Sequence, residues 1–391
     1  MTSMNPGDVI LRDFTLSGVG GSVDIRRRVK DFSVYENIKT PYTTIVATIV
    51  DTTDMLNKNL GLDGVNNVLT ASFSQFGQHI YDGTWQVMAV EKGRNLENQR
   101  AAEYKITGYS PHMTKFPKVQ KSFKEVPATG VAASLINEFL SPLKPLVINA
   151  GARSVMGNSM MPYNINGVQI HKAIRSVLAR AASTTDSSSA YVFFENQYNM
   201  VIDTLENMMN NAQSSQTATF YQRPMGQNFL RDVALQPFII LAMKEESRVN
   251  RAETIQGDQS ATNTLDLFSS AFKKGSTKGS SVYYNLPYNI LRPPTFLANV
   301  MAGRGKIAGQ FDSQSATVQV SLQTEVTVGG GFNIESLAPA GDTDTPVLDS
   351  ISGPLLATEV RHTVMMNKQR MQGMSTIKGC KGNLDYLGLD G

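Results

Sequence analysis

The feature that most constrains the fold is a series of short, β-branched segments within residues 8–110, separated by turn-forming residues. Two of them are TTIVATIVD at residues 43–51 and the alternating VLTASFSQF at residues 68–76. Turn-formers lie between the segments, as in GLDG at residues 61–64. Short strands separated by turns are typical of antiparallel barrels and sandwiches. The sequence therefore predicts one of these two folds for residues 8–110.

Helical spacing of apolar residues begins after this region. It predicts one helix over residues 127–140 and a second over residues 166–183. The second helix would present the apolar stripe Val168, Ile174, Val177, Leu178 and Ala181. The segments AYVFFEN and NMVIDTLE then predict two strands joined at Gln197-Tyr198. The middle of the chain is therefore predicted to be a small α/β unit.

Strands are predicted again toward the end of the sequence, within residues 235–255, 316–337 and 353–384. Residues 257–310 interrupt this series and are rich first in Gly, Ser and Lys and then in Pro, which indicates an inserted excursion with flexible parts. Two β units of similar size would thus flank one α/β unit. This order suggests a duplicated architecture.

Charge and cysteine content exclude several classes of protein. The 391 residues include 36 basic and 33 acidic side chains, so the net charge is only +3, less than expected of a dedicated nucleic-acid binder. Cys380 is the single cysteine, which excludes an intrachain disulfide or a site made of several thiolates. We found neither an apolar stretch of membrane-spanning length nor a signal-peptide core, so a soluble protein made in a cytoplasm is expected.

Candidate catalytic and cofactor motifs are weak. Asp51-Thr52-Thr53 lacks the glycine and the second copy that an aspartic protease needs, and a strand-ending turn is the simpler prediction. GRGKIAG at residues 303–309 has the wrong glycine spacing for a dinucleotide loop and no Ser or Thr after its lysine. His362 and Arg361 would point to opposite faces of a strand. No catalytic, cofactor-binding or metal-binding residue is predicted, and the chain is not expected to be an enzyme.

The stretch DIRRRVKDFSVYENIKTPYTTIVATIVDTTDMLNKNLGLDGVNNVLTASF resembles the opening of the tail-hub proteins of contractile-tailed bacteriophages. The residues that carry the resemblance are Val29, Phe32, Val34, Tyr35, Glu36, Ile38, Ile49, Asp51, Leu56, Leu62, Gly64, Leu69 and Phe73. Asn66-Asn67 stand near a position where members of that family often carry Glu.

Three later stretches continue the resemblance in the same order along the chain. They are YKITGYSPHMTKFPKVQKSFKEVPATGVAASLINEFL, YVFFENQYNMVIDTLENM and LATEVRHTVMMNKQRMQGMSTIKGCKG. Residues 257–310 match nothing specific in the family pattern.

The resemblance implies an α+β, mainly β fold with two tube-like antiparallel β-barrel domains flanking a small α/β domain. The predicted limits are 8–111 for the first barrel, 112–225 for the middle domain, 226–256 with 311–385 for the second barrel, and 257–310 for an inserted loop-rich segment.

The resemblance also implies a structural role as the baseplate hub of a contractile tail. A homotrimer with two barrels per chain would have pseudo-six-fold symmetry and would adapt a hexameric tail tube to a trimeric central spike. The implied partners are the spike, tail tube or tube-initiator proteins, the tape-measure protein and baseplate wedge proteins, with DNA only in transit and no membrane insertion. The implied location is the virion, after assembly in the bacterial cytoplasm. The spike is expected to be a separate chain, because no long β-helical repeat follows residue 391.

Two alternatives stay open at this point. One is the hub of a non-phage contractile injection system, either a bacteriocin or a secretion apparatus. The other is a hub with peptidoglycan hydrolase activity, which the missing acid–base pair of residues disfavours.

The arginine cluster in VDIRRRVKDFSVYENIKTPY, residues 23–42, is predicted to lie on the first strand of the first barrel. On a strand, Arg26 and Arg28 would share one face and Arg27 the other, which weakens a phosphate site. We therefore expect inter-subunit ion pairing instead. The candidate inter-subunit contacts are Arg26, Arg28, Glu359 and Arg361.

Overall fold

The computed structural model describes residues 8–53, 56, 66–75, 79–94, 101–114, 117–124, 126–140, 142–149, 163–179, 181, 190–222, 236–247, 259–266, 271–278, 285–287, 311, 314–336, 351–367 and 370–381. Among these, no helix is long and apolar enough to span a bilayer. The GRGKIAG segment lies outside the described residues.

The strands and helices follow in chain order. The strands before the first helix are β1 (Val9–Gly18), β2 (Gly21–Asp24), β3 (Val29–Asn37), β4 (Thr44–Asp51), β5 (Val68–Gln75), β6 (Tyr81–Arg94), β7 (Ala102–Tyr109) and β8 (Lys118–Phe123). The middle elements are α1 (Ala128–Leu135), β9 (Leu146–Ile148), β10 (Tyr163–Gln169), α2 (Ile170–Leu178), β11 (Tyr191–Glu195), β12 (Met200–Thr204) and α3 (Leu205–Ser214). The last strands are β13 (Gln216–Gln222), β14 (Ile239–Ile240), β15 (Ala242–Ser247), β16 (Gln259–Asp266), β17 (Ala271–Lys278), β18 (Asn285–Pro287), β19 (Gln314–Ser321), β20 (Gly331–Glu335), β21 (Gly353–Asn367) and β22 (Arg370–Cys380).

The first barrel is closed by strands from both ends of the sequence. Its antiparallel order is β1-β5-β6-β7-β4-β3-β21-β22. A bridge between Asp8 and Gln372 then joins β22 back to β1. Its interior is filled by side chains such as Phe14, Phe73 and Trp85, and Val364 of β21 belongs to the same core.

The second barrel uses the same β21–β22 hairpin. Strand β21 pairs with β20, which pairs with β13, while β22 pairs with β19, which pairs with β15. Strand β14 pairs with β13 and leads into β15, so the ring is completed by one bent segment. The predicted fold class, mainly β with two barrels and a small α/β unit, is confirmed. The second barrel departs from a purely antiparallel order, because β13 pairs in parallel with both β20 and β14. The exact domain limits stay a prediction, because β21 and β22 serve both barrels.

The α/β unit lies between the barrels in sequence and has its own core. Helices α1 and α2 pack with the inward residues of β8 and β10 and with one face of the β11–β12 hairpin. The opposite face of that hairpin, through Phe194 and Val201, packs into the core of the second barrel. Because both faces of the hairpin are buried, every residue of β12 is buried. This double burial explains why Met200, Val201 and Ile202 follow one another without an intervening polar residue.

Two predictions about helices were wrong in detail. The predicted helix over residues 166–183 begins only at Ile170, because β10 pairs with β8 as far as Gln169 and Gly167 has a φ of 66°. The strand predicted over NMVIDTLE, residues 199–206, ends at Thr204, and α3 begins at Leu205. The Thr204 hydroxyl accepts a hydrogen bond from the Asn207 N–H and so caps that helix.

Residues 257–310 were predicted to be a loop-rich insertion, and their described part forms three strands. Strands β16 and β17 form an antiparallel hairpin from Gln259↔Lys278 to Asp266↔Ala271, and β18 pairs with β16 in parallel. The Gly, Ser and Lys content that suggested a loop is compatible with a separate three-stranded sheet.

Candidate functional site: a buried polar junction

The turn between β11 and β12, residues 195–199, meets both barrels. Around it lie the β3–β4 loop and the end of β7 from the first barrel, and the β19–β20 loop near Val328 from the second. We call this cluster the junction and define it by the buried residues Glu36, Thr43, Ser110, His112, Glu195, Asn196 and Gln197 with Lys144 and Tyr81. Its polar groups connect segments that are far apart in sequence.

Glu195 is the most highly coordinated carboxylate of the junction. It is 3 % exposed, and its oxygens accept hydrogen bonds from the Thr43 N–H at 3.1 Å and the Ser110 hydroxyl at 2.5 Å. The ammonium group of Lys144 lies 2.9 Å from Oε1. A buried carboxylate with one cation and several donors is well satisfied, so Glu195 fastens the α/β unit to the first barrel.

The next two residues of the turn extend these contacts in both directions. Asn196 donates from its side-chain amide to the Val328 carbonyl at 3.2 Å, and its own carbonyl accepts from Lys144 at 2.6 Å. Gln197 donates to the Ile80 carbonyl at 2.8 Å. The turn thus contacts the second barrel through Asn196 and the first barrel through Gln197.

Glu36 links the two barrels directly. It is 2 % exposed on the inward face of β3, accepts a hydrogen bond from the Tyr81 hydroxyl at 2.9 Å and accepts another from the Val328 N–H at 3.1 Å. Desolvation by burial raises the pKa of Glu36 to about 7, with a smaller contribution from Glu195, although Lys144 and both hydrogen bonds oppose the shift.

The junction does not have the geometry of a nucleophilic enzyme. The Ser110 hydroxyl donates directly to Glu195, and the nitrogen Nε2 of His112 lies 2.7 Å from the Pro41 carbonyl and 3.8 Å from Glu195. No histidine bridges the serine and the carboxylate among these residues, although a serine nucleophile needs such a base. The chemistry that this arrangement supports is cohesion between segments.

His362 is also a core residue, as its strand position predicts. It is fully buried while Arg361 is exposed, its Nδ1 lies 2.9 Å from the Ser375 hydroxyl, and burial lowers its pKa to about 3. The prediction that Arg361 and His362 point to opposite faces is confirmed.

A cleft of about 240 Å³ lies beside the junction. Its lining includes Asp13 and Asp82 from the first barrel and Lys144 and Glu195 from the junction. Within the described part of the chain, no group of three or more His, Cys, Asp or Glu side chains is placed to hold a metal ion.

The arginine cluster does not form the predicted strand. Residues Arg26–Arg28 form a 3-10 turn between β2 and β3, and β1 rather than this segment is the first strand. The Asp24 carboxylate accepts hydrogen bonds from the backbone N–H of Arg26 and from its guanidinium, with Nη2 at 2.6 Å. This local bonding stabilises a turn in place of a continuous strand.

Both candidate arginines have partners within the chain. Arg26 also donates to the Arg12 carbonyl of β1 at 2.7 Å. Arg28 contacts Asp51 at 2.5 Å, and the Asp51 carboxylate also accepts from the Thr53 and Leu56 N–H groups. Asp51-Thr52-Thr53 is therefore a strand end in which Asp51 caps the turn, as predicted. The expected contact between subunits is an additional one and stays a prediction.

Glu359 and Arg361 are exposed on the same outer face of β21. The Arg361 guanidinium lies 5.1 Å from the centre of the Tyr35 ring of β3 and donates to the Ser33 hydroxyl. This places both residues on the face of a sheet that continues from the first barrel into the second.

Sequence reasoning missed Glu195 and Lys144 as functional residues, and it used Glu36 only as part of a motif. A glutamate directly after the apolar run YVFF is the one local signal for Glu195. No local sequence pattern identifies Lys144. Its role depends on the fold, which brings it into contact with Glu195, 51 positions later in the chain.

Neither a protein-family model nor a curated protein matches this sequence. Solved structures do match over nearly the whole chain. A tail protein from Neisseria meningitidis MC58 superposes with a TM-score of 0.59 at 9% identity, covering 94% of this chain and 96% of that one. The 43 kDa tail protein of prophage MuSo2 from Shewanella oneidensis gives 0.56 at 9% identity, with 95% and 98% covered. The chain has the fold of these tail proteins.

The same fold occurs in secretion machinery. An Escherichia coli component of the type VI secretion system, described as structurally similar to bacteriophage T4 tail proteins, matches with a TM-score of 0.50 at 9% identity. That match covers 95% of this chain and 76% of the other. The resemblance inferred from the sequence motifs is therefore confirmed at the level of the fold.

Proposed function

We propose that this protein is the structural baseplate hub of a contractile phage tail. The observation that carries the proposal is the fold shared with two tail proteins over more than nine-tenths of each chain. The junction supports it, because its buried polar groups hold segments together and do not pair a nucleophile with a base. An adapter that transmits mechanical force needs such cohesion and needs no catalytic group.

The proposed assembly is a homotrimer. Two barrels in each of three chains supply six similar units around one axis, which can match a hexameric tube on one side and a trimeric spike on the other. The shared β21–β22 hairpin supports this arrangement, since it holds the two barrels of one chain as neighbours. The ring would leave an axial channel for the tape-measure protein and for DNA in transit.

The proposed partners are the central spike, tail tube or tube-initiator proteins, the tape-measure protein and the baseplate wedge proteins. The virion would be the final location, after assembly in the bacterial cytoplasm. Exposed Glu359 and Arg361 are the best candidates for contacts between subunits, since Arg26 and Arg28 already have carboxylate partners in the chain.

A second candidate function is the hub of a non-phage contractile injection system. The match to the Escherichia coli secretion component favours it, and so does a match to a chain of a Francisella PdpA–VgrG complex, with a TM-score of 0.51 and 10% identity. That match covers 96% of this chain and 58% of the other. Neighbouring genes for a capsid and a terminase would identify a phage, and their absence would favour the injection system.

The trimer is tested by light scattering on the purified chain, alone and with its spike protein. We expect a mass of three chains in at least the second sample. Arg361→Glu should reduce that assembly, while Lys118→Glu, an exposed lysine of the α/β unit, should leave it unchanged. A stable monomer under both conditions would refute the hub. A three-dimensional reconstruction of the tail tip would show directly where the two barrels lie around the proposed axis.

The hydrolase alternative is tested separately on a peptidoglycan gel. The expected result is no clearing by the purified chain. Clearing would assign the protein an enzymatic role and would overturn the purely structural proposal.

A further inference from the structure

The junction buries more carboxyl groups than cations that reach them. Glu195 has the ammonium group of Lys144 at 2.9 Å and two further donors. Within the described part of the chain, Glu36 accepts hydrogen bonds from two neutral donors only, the Tyr81 hydroxyl and the Val328 N–H. A buried carboxylate without a cation is unstable relative to its neutral acid. The excess negative charge therefore falls on Glu36.

The surroundings of Glu36 fit a neutral carboxylic acid. Its Oε2 can remain the acceptor for the Val328 N–H, while a protonated Oε1 can donate to the hydroxyl oxygen of Tyr81, since a phenol both donates and accepts. Burial, followed by the proximity of Glu36, raises the pKa of Tyr81 well above its ordinary value, so this phenol stays neutral. Both contacts therefore persist when Glu36 is protonated.

No other group supplies the missing positive charge among the described residues around Glu36. The groups that face it are Tyr81 from β6, Lys144 from the segment before β9, Glu195 from β11, Tyr198 from the turn and His362 on the inward face of β21. Lys144 is already paired with Glu195. His362 is neutral at neutral pH because burial lowers its pKa to about 3.

We propose that Glu36 is held as a neutral acid and makes the coupling between the two barrels dependent on a proton. Through Val328 it joins β3 of the first barrel to the β19–β20 loop of the second. When Glu36 loses its proton, the junction contains an uncompensated buried charge close to Glu195. The β19–β20 loop is then less favourably held against β3.

The direction in which stability changes with pH follows from the raised pKa of Glu36. Burial raises the pKa of Glu36 from 4.5 to about 7 in the folded chain. The stabilisation is therefore fully present below the ordinary pKa and is lost as the pH rises through about 7. The folded junction binds up to one proton more than the unfolded chain, and the unfolding equilibrium changes by at most about tenfold per pH unit.

The test measures urea unfolding of the full chain from about pH 5 to about pH 9, which covers the raised pKa of Glu36 and the range above it. We expect the wild type to lose stability as the pH rises from about 5 to about 7 and to level off above that, and Glu36→Gln, which keeps a neutral acceptor and donor, to lack that dependence. The matched control Glu335→Gln removes an exposed carboxylate of β20 and should keep the wild-type profile. Parallel profiles for wild type and Glu36→Gln would overturn the proposal.

An infrared titration of the wild type decides the question even if Glu36→Gln does not fold. A protonated carboxylic acid has its own carbonyl stretch, which should be present in slightly acidic buffer and disappear as the pH rises through about 7. Absence of that band in the folded protein would refute the neutral acid. Neither measurement depends on the proposed hub function, so the two proposals fail separately.

Discussion

The two barrels share a hairpin but fill their interiors differently. In the first barrel, aromatic rings form a continuous series from Phe14 through Phe32, Phe73 and Tyr81 to Trp85, with centroid separations between 5.0 and 6.5 Å. The core of the second barrel is mostly aliphatic and includes residues of α3, such as Met208 and Ala212. The first interior is therefore built by its strands, whereas the second needs a helix contributed by the α/β unit.

The largest expected effect is on the aromatic core of the first barrel. Trp85 is 1 % exposed, and its indole N–H donates to the Thr43 hydroxyl at 3.0 Å. Trp85→Ala should lower the free energy of unfolding by about 3–5 kcal/mol, through lost burial and the cavity left behind. Urea unfolding measures this, and Met88→Ala on the exposed side of the same strand is the control. A loss no larger than that of Met88→Ala would contradict the proposed importance of the ring series.

A smaller effect is expected where α3 approaches the second barrel. A Cβ at Gly331 would lie 2.6 Å from the Ser215 carbonyl oxygen and 2.7 Å from the Cα of Ala212, and both are backbone atoms. Gly331→Ala should cost about 3 kcal/mol, since the backbone must move. Hydrogen exchange should show lost protection in β13, β20 and α3 before β4 to β7.

The control for this variant is Gly93→Ala in β6, where the nearest atom to an added Cβ is 3.8 Å away. Gly93→Ala should leave the free energy of unfolding unchanged or raise it slightly, because alanine lowers the conformational entropy of the unfolded chain. Equal loss of protection in both barrels for Gly331→Ala would show that the two cores are not separable.

The next effect compares two arginines of the 3-10 turn. Arg28→Ala leaves the fully buried carboxylate of Asp51 without its cation and should cost about 2 kcal/mol. Arg26→Ala removes an ion pair in which both side chains are about half exposed, and it should change stability little. Thermal unfolding of the two variants side by side measures the difference. Equal losses of stability in the two variants would contradict this prediction, because Arg28 would then stabilise the fold no more than an exposed arginine does.

The smallest effect is a change in acid sensitivity. Desolvation opposes ionisation of Asp51, but hydrogen bonds from Leu56 and Thr53 and the charge of Arg28 together lower its pKa below 3.8. A lowered pKa gives stability that is present above the ordinary value and is lost as the pH falls through the folded value. In Arg28→Ala the acid transition should therefore begin at a higher pH than in Arg26→Ala, as followed by circular dichroism.

Much of the fold could be predicted because its signals are local. Alternation in β4 and β5 and the turn residues around them specify antiparallel strands, and the helical stripe over residues 127–140 is visible without a structure. The start of α2 could not be placed, since the β8–β10 pairing that ends at Gln169 is a tertiary effect. The 3-10 turn at Arg26 depends on the Asp24 carboxylate, which accepts hydrogen bonds from the backbone N–H and the guanidinium of Arg26.

The junction could not be predicted from the sequence, for a different reason. Ser110, Lys144 and Glu195 carry no spacing that relates them, and each would be an ordinary surface residue in another fold. Their roles arise only when the turn after β11 is inserted between the barrels. The exposed pair Glu359 and Arg361, in contrast, could be placed on one face from strand periodicity alone.

The β21–β22 hairpin also has a consequence for the order of events during synthesis. Strands β1 to β7 leave the ribosome early, but their ring closes only through β21 and β22, which include residues 353–380. Until then β3 presents an unpaired edge, and so does β1 outside the segment Thr15–Gly18 that pairs with β2. Such edges invite association with other chains. Pairing over so long a sequence separation is intrinsically slow. The nascent first barrel is therefore an open sheet for most of translation, and its protection during that interval must come from outside its own strands.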